Sequence, residues 1–219
     1  MRLCNIYIVI LLLCRFTGIS AQSKSSLFEE DLDLISMKFS PPFEYSISDN
    51  KRPIYVTDDY TSPLRKLGTV HSVLTNRNGE CQVFVYLLGA DMIRYGGLVK
   101  ANKELFGDIS SSIYGRVKYD LNYGRPNSST SEQDIEDLKM IMTFYPQDIA
   151  RTLFNADHMM VYPYNMEGKK YGDNFTRVRV VAIEKSGIDV FFYFAMTDKG
   201  IKDFDKYLMD FKGVFLFSE

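Results

Sequence analysis

A chain of 219 residues that is 46% hydrophobic and 25% charged can fill one core of ordinary domain size. Its 26 lysines and arginines against 28 aspartates and glutamates give a formal charge of −2, and no block of cations stands out. That excludes the electrostatic footprint of a nucleic-acid-binding domain. With three cysteines, of which only Cys81 lies beyond residue 14, an internal disulfide framework is excluded as well.

The first residues, MRLCNIYIVILLLCRFTGISAQS, follow the grammar of a secretory signal peptide. Arg2 supplies the positive start, Leu3 to Cys14 the apolar run, and small residues lead to cleavage at Ala21. Arg15 ends the run short of the roughly 20 apolar residues that a membrane-spanning helix needs. Residues 1–21 are therefore expected to be a leader and 22–219 a single exported domain, periplasmic or at a cell surface, with no transmembrane segment. Lipoprotein anchoring at Cys14 is disfavoured, because the residue before a lipidated cysteine is normally small and here it is Leu13.

Leu27, Phe28, Leu32, Leu34 and Ile35 have the spacing of a short amphipathic helix, stopped by Pro41-Pro42. Phe43 to Ile47 reads as a strand. Thr69–Asn76 and Glu80–Leu88 read as a hairpin around Arg77-Asn78-Gly79, since Asn-Gly is the strongest short-range hairpin signal. A two-residue turn sets Leu74 opposite Val83 and Ser72 opposite Val85, and both faces carry enough apolar residues to be covered.

Gly96–Phe106 is expected to hold a short helix, and Ile109–Tyr123 one strand plus loop. Residues 124–130 read as a linker. Ile135, Leu138, Ile141 and Met142 form a helical stripe, Tyr145-Pro146 breaks it, and a second helix carries Ile149 and Leu153. Asn155 to Asp157 is a turn, and His158 to Tyr162 a strand limited by Pro163, which cannot donate to a central ladder.

Phe175–Met196 is a second hairpin with two competing registers. A two-residue turn sets Glu184 opposite Asp189, a like-charge pair. A three-residue loop with Gly187 left-handed avoids that pair and collects Val178, Val180 and Ala182 with Val190, Phe192 and Phe194 on one face. One-sided burial favours the second register. Thr197 or Asp198 caps a last helix through Ile201, Phe204, Leu208 and Phe211, and Val214–Phe217 returns as a terminal strand. Together these elements predict an α+β fold, an antiparallel sheet built from hairpins with several helices packed on it.

The short N-terminal strand, the hairpins and the closing helix and edge strand (DKYLMDFKGVFLF) resemble the Mog1/PsbP-like arrangement. The chain as a whole also resembles exported proteins of gut Bacteroidetes. Neither resemblance carries a catalytic residue.

The segment LFNADHMMVYPYN, residues 153–165, concentrates the side chains that could do chemistry. Asp157 and His158 are the catalytic candidates, as a carboxylate beside one of only two histidines. Tyr162 and Tyr164 are the binding candidates, because tyrosines at a strand edge offer flat apolar area and a hydroxyl to a sugar, a peptide or a protein. His158, Met159, Met160 and Met166 hold the ligand types of a copper site, but adjacent methionines alternate across a strand. Cys81 is expected to be buried and inert. No nucleophile elbow, P-loop or zinc pattern is present, so neither cofactor nor metal is expected. The resulting expectation is an exported, non-enzymatic binding or accessory module with a protein, peptide or carbohydrate ligand. The alternatives are a hydrolase centred on Asp157 and His158, and a structural subunit that uses a sheet edge.

Overall fold

The segments Arg177–Lys185 and Ile188–Met196 are apolar on both of their alternating faces, so each face needs its own cover. The fold follows from that requirement. The computed structural model describes residues 26–48, 54–57, 59, 61–94, 111–121, 132–172 and 174–219. The leader, the expected helix at 96–106 and the linker at 124–130 lie outside these residues.

In chain order, α1 (Leu27–Leu34) leads to β1 (Met37–Phe39), β2 (Tyr45–Ile47) and β3 (Ile54–Tyr55). A 3-10 turn at Pro63–Leu67 precedes β4 (Thr69–Val70), β5 (Ser72–Asn76) and β6 (Cys81–Tyr86). Then come α2 (Leu88–Arg94), α3 (Ser111–Asp120), α4 (Glu132–Ile141), β7 (Thr143–Phe144), α5 (Gln147–Phe154) and β8 (His158–Pro163). The long hairpin β9 (Arg177–Lys185) and β10 (Ile188–Met196) is followed by a 3-10 turn at Gly200–Asp203, α6 (Phe204–Asp210) and β11 (Phe215–Phe217).

Seven strands form one antiparallel sheet in the order β2-β5-β6-β10-β9-β8-β7, and β1 pairs separately with β11, as β3 does with β4. The chain is thus α+β. One face of the sheet packs Val83, Val181, Phe192 and Phe194 against α1, α5, α6 and β11. The other packs Phe84, Val180, Phe191 and Tyr193 against α3, α4 and the Pro63–Leu67 turn. The sheet is a filling between two helical layers. Among the described residues no helix is long and apolar enough to cross a membrane. The outermost strands, β2 and β7, are three and two residues long, which blunts the sheet's edges.

The first hairpin has the expected register, with Leu74 opposite Val83 and Ser72 opposite Val85. Its turn differs in detail: only Gly79 takes a positive φ (73°), and the Asn76 carbonyl accepts from its amide at 2.9 Å. Cys81 is fully buried, and its surroundings push the thiol pKa far up, first through burial and then through Asp210.

The second hairpin takes the register that puts Glu184 opposite Asp189. Ser186 (φ 53°) and Gly187 (φ 83°) are both left-handed, as a two-residue type I′ turn requires. The one-sided-burial argument for the other register fails because β9 and β10 are central strands, covered on both faces. Val178, Val180 and Ala182 face one helical layer, while Val190, Phe192 and Phe194 face the other.

The segment read as strand plus loop at 109–123 contains the helix α3. Ile113, Tyr114, Val117 and Leu121 recur at helical spacing and are all buried, and this periodicity outweighs the local serine and tyrosine content. Thr197 caps the final helical segment, its hydroxyl accepting from the Gly200 amide at 3.0 Å. A Cβ on Gly200 would overlap the carbonyl oxygen of Glu80, a backbone atom that cannot swing aside. Gly200→Ala should therefore cost about 1–3 kcal/mol through overpacking. Urea denaturation would show it, and a midpoint equal to wild type would mean that this corner yields freely.

Candidate functional site

Asp157 and His158 lie where α5 runs through Asn155, left-handed at φ 51°, into β8. Their polar groups are largely engaged in holding the β9–β10 turn. The Asp157 carboxylate accepts from the Ser186 amide at 3.2 Å, and its own amide donates to the Glu184 carbonyl at 2.9 Å. Glu184 Oε1 accepts from the Gly187 amide at 2.7 Å. His158 is opposite Glu184 across the ladder, with Nε2 at 3.8 Å from Oε2 and its side chain 31% exposed. The described cavities are lined by neither Asp157 nor His158. Met159 and Met160 are buried on opposite faces of β8, so they do not converge with His158 on a metal.

Tyr162 and Tyr164 are not edge tyrosines. β8 lies between β9 and β7, and Pro163 ends it rather than marking an open edge. Both rings are buried. Tyr164 donates to the Pro63 carbonyl at 2.9 Å, and Tyr162 donates to Asp120 at 2.8 Å.

That second bond belongs to a polar centre under α3. Arg116 and Asp120, one helical turn apart, face the sheet with Nε and Oδ1 at 3.1 Å. Asp120 is 0% exposed, and its Oδ2 accepts from Tyr162 at 2.8 Å and from Tyr193 at 2.9 Å. Arg116 Nε donates to the Tyr193 hydroxyl at 2.7 Å, and the guanidinium lies 5.0 Å from the Tyr86 ring centroid. Burial raises the Asp120 pKa, against the pull of Arg116 and the two tyrosine hydroxyls. Burial also pushes both tyrosines well above their ordinary value. For Arg116 burial works the other way, but Tyr193 and Asp120 prevail and keep it cationic. Perturbed titration is a mark of active sites, yet a buried ion pair produces it too. A carboxylate with no exposed surface cannot meet a substrate, so this centre joins α3 to the sheet.

His71 forms a third polar group. Its Nδ1 accepts from the Leu87 amide at 3.1 Å, which leaves the proton on Nε2, 3.3 Å from Asp91 and 3.7 Å from Asp31. Asp31 in turn pairs with Arg94. The cluster links α1 and α2 to the start of β5, and among the described residues no three His, Cys, Asp or Glu groups are placed to hold a metal ion.

Among the described residues, the most capacious of the hollows lies at the corner that Pro163 creates. β8 stops there, and the Tyr164 amide makes one last bond to the Val178 carbonyl at 3.0 Å. The chain then leaves through Asn165–Lys170, so the beginning of β9 has no neighbour from β8 beyond Arg179. The result is a groove of about 650 Å3 between that loop, the Thr176–Arg179 segment and the turn at Asp198–Ile201. Four cations line it: Lys169, Lys170, Arg177 and Arg179. Its two carboxylates are engaged. Glu167 pairs with Lys66 at 2.6 Å and Lys169 at 3.5 Å, and Asp198 accepts from the Thr176 hydroxyl at 2.6 Å. The two lysines hold the Glu167 pKa below its usual range, Lys66 foremost and Lys169 after it. Arg179 is supported from behind, its guanidinium 4.8 Å from the Phe204 ring centroid.

Of this corner the sequence singles out Tyr164, which lines the groove; the groove's cations belong to different segments, a polar loop and one face of a hairpin. The available signal was a strand limited by proline, followed by arginines at alternate positions on the next strand. Comparison of the chain with protein-family models, curated proteins and solved structures returns no match.

Proposed function

We propose that the chain is an exported, non-enzymatic binding or accessory module whose ligand occupies the groove at the Pro163 corner. Export is supported by the signal-peptide grammar of residues 1–21. Binding is supported by a hollow within the roughly 300–1,000 Å3 span of small-ligand sites, lined by charged groups. The observation that carries the reading is the contrast between sites. The groups with the chemistry of a catalyst are either sealed, as Asp120 is, or committed to a turn, as Asp157 and Glu184 are. The groove brings Lys170, Arg177 and Arg179, which make no ion pair among the described residues, to a concave surface. The hydrolase alternative would need a substrate cavity at His158, and the sheet-edge alternative would need β11 free. β11 is already paired with β1, and the Asn155 side chain occupies its Phe217 carbonyl at 2.8 Å.

Amide-resolved NMR with maltohexaose, tetra-alanine and adipate as separate probes tests this. At least one probe should shift amides in 164–170 and 176–179, and Thr176→Trp, which fills the groove, should abolish the shifts. Shifts confined to the surroundings of His158, or none from any probe, would overturn the reading.

A further inference from the structure

If the groove is the binding site, its charge and spacing narrow the class of ligand. The chain as a whole carries a formal charge of −2, yet this groove presents four cations against two carboxylates, of which Glu167 is paired with Lys66 and the groove's own Lys169 and Asp198 accepts from the Thr176 hydroxyl. Among the described residues, no carboxylate lies within ion-pair distance of Lys170, Arg177 or Arg179. These three cations outnumber the one groove carboxylate not paired with a lysine, Asp198, and an anionic ligand would relieve their mutual repulsion.

Geometry adds a second constraint. Arg177 and Arg179 are two residues apart on one strand, so both project from the same face with their origins about 6.7 Å apart. Each guanidinium offers a planar fork suited to a carboxylate or a phosphoryl group. Arg179 is steadied by the Phe204 ring, which lowers the entropy lost when it takes an anion. Lys169 and Lys170 stand on the loop side of the groove as less directional charges.

We propose that the groove selects a small oligoanion with two acidic groups spaced to meet Arg177 and Arg179 together. The acidic groups are oxyanions, carboxylate or phosphoryl. The inference rests on the groove being the site, and the test separates the two. Isothermal titration of the intact protein compares adipate, whose carboxylates can span that separation, with malonate, whose carboxylates cannot, and with neutral adipamide. Tripolyphosphate serves as the phosphoryl probe.

Adipate or tripolyphosphate should bind, more weakly as salt rises. Arg177→Gln and Arg179→Gln should each weaken binding about tenfold, the loss of one charge-assisted pair. Lys139→Gln, at an exposed α4 residue that does not line the groove, should leave it unchanged. The better of adipate and tripolyphosphate identifies which oxyanion the groove prefers. Malonate equal to adipate would overturn the two-point spacing. Adipamide or maltohexaose binding in the groove while the anions do not would overturn the anionic class and leave the groove as the site. Silence from every probe, neutral and anionic, would remove both.

Discussion

Asp120→Asn should destabilise the fold by about 3–5 kcal/mol, the scale for removing one partner of a buried ion pair. The cost comes less from the lost attraction than from what stays behind. Arg116 would remain cationic beneath α3, its side chain 14% exposed, with Nη2 already lacking a hydrogen-bond partner among the described residues. The amide can still accept from Tyr162 and Tyr193 through its oxygen, so charge compensation rather than hydrogen-bond geometry is what the substitution removes. Arg116→Met should cost a similar amount by leaving Asp120 as the uncompensated charge. The double variant Arg116→Met with Asp120→Asn should cost clearly less than the two single losses together, because no buried charge remains and the amide oxygen still accepts from both tyrosines. Tyr162→Phe removes one donor and should cost about 1–3 kcal/mol. Urea unfolding at neutral pH reads all four, and strict additivity of the two charge substitutions would refute the coupling.

Both hairpins were legible as hairpins, from β-branched runs around Asn-Gly and Ser-Gly. Register was legible only in the first. There, burial on both faces follows from the apolar residues at alternate positions, and Leu74 meets Val83 as expected. In the second, the like charges at Glu184 and Asp189 argued against the observed pairing, and the argument failed for a physical reason. Cross-strand repulsion decides between registers only when the charges must answer each other. Here Glu184 is answered by the Gly187 amide, and Asp189 by the Ser112 hydroxyl of α3. A sequence does not display that third element, because it arrives from 77 residues away.

Local composition misled in the same way at α3. Serines and tyrosines between 110 and 123 suggest a strand, while the positions of Ile113, Val117 and Leu121 specify a helix. With the helix missed, Arg116 and Asp120 could not be seen as neighbours one turn apart, and the buried centre was invisible. Tyr162 and Tyr164 stand out in the sequence as binding candidates on an edge strand, and the structure buries both rings. Their hydroxyls serve Asp120 and the Pro63 carbonyl in the interior, and Tyr164 also lines the groove at the Pro163 corner. Pro163 was read correctly as the limit of its strand. What that limit creates, an uncovered start of β9 with Arg177 and Arg179 on it, depends on the path of the following loop and so becomes visible only in three dimensions.

The second large expected effect lies in the other helical layer. Phe192, 0% exposed on β10, stacks on Phe154 of α5 at 5.5 Å and 17° between ring planes. It also meets Phe215 of β11 at 4.9 Å and Phe211, just beyond α6, at 5.8 Å. One ring on a central strand is thus the shared floor for three separately folded segments. Phe192→Ala should cost about 3–5 kcal/mol, since none of the three can collapse into the space without leaving its place against the sheet. Phe144→Ala, on a ring 41% exposed on β7, should change stability by no more than about 0.5 kcal/mol. Hydrogen exchange supplies a finer reading. The amides of Phe215 to Phe217 should lose protection ahead of β9 and β10, because β11 is held to the body through Phe215 and its pairing with the three-residue β1. Uniform loss of protection across the chain would show instead that the aromatic layer and the central hairpin unfold as one unit.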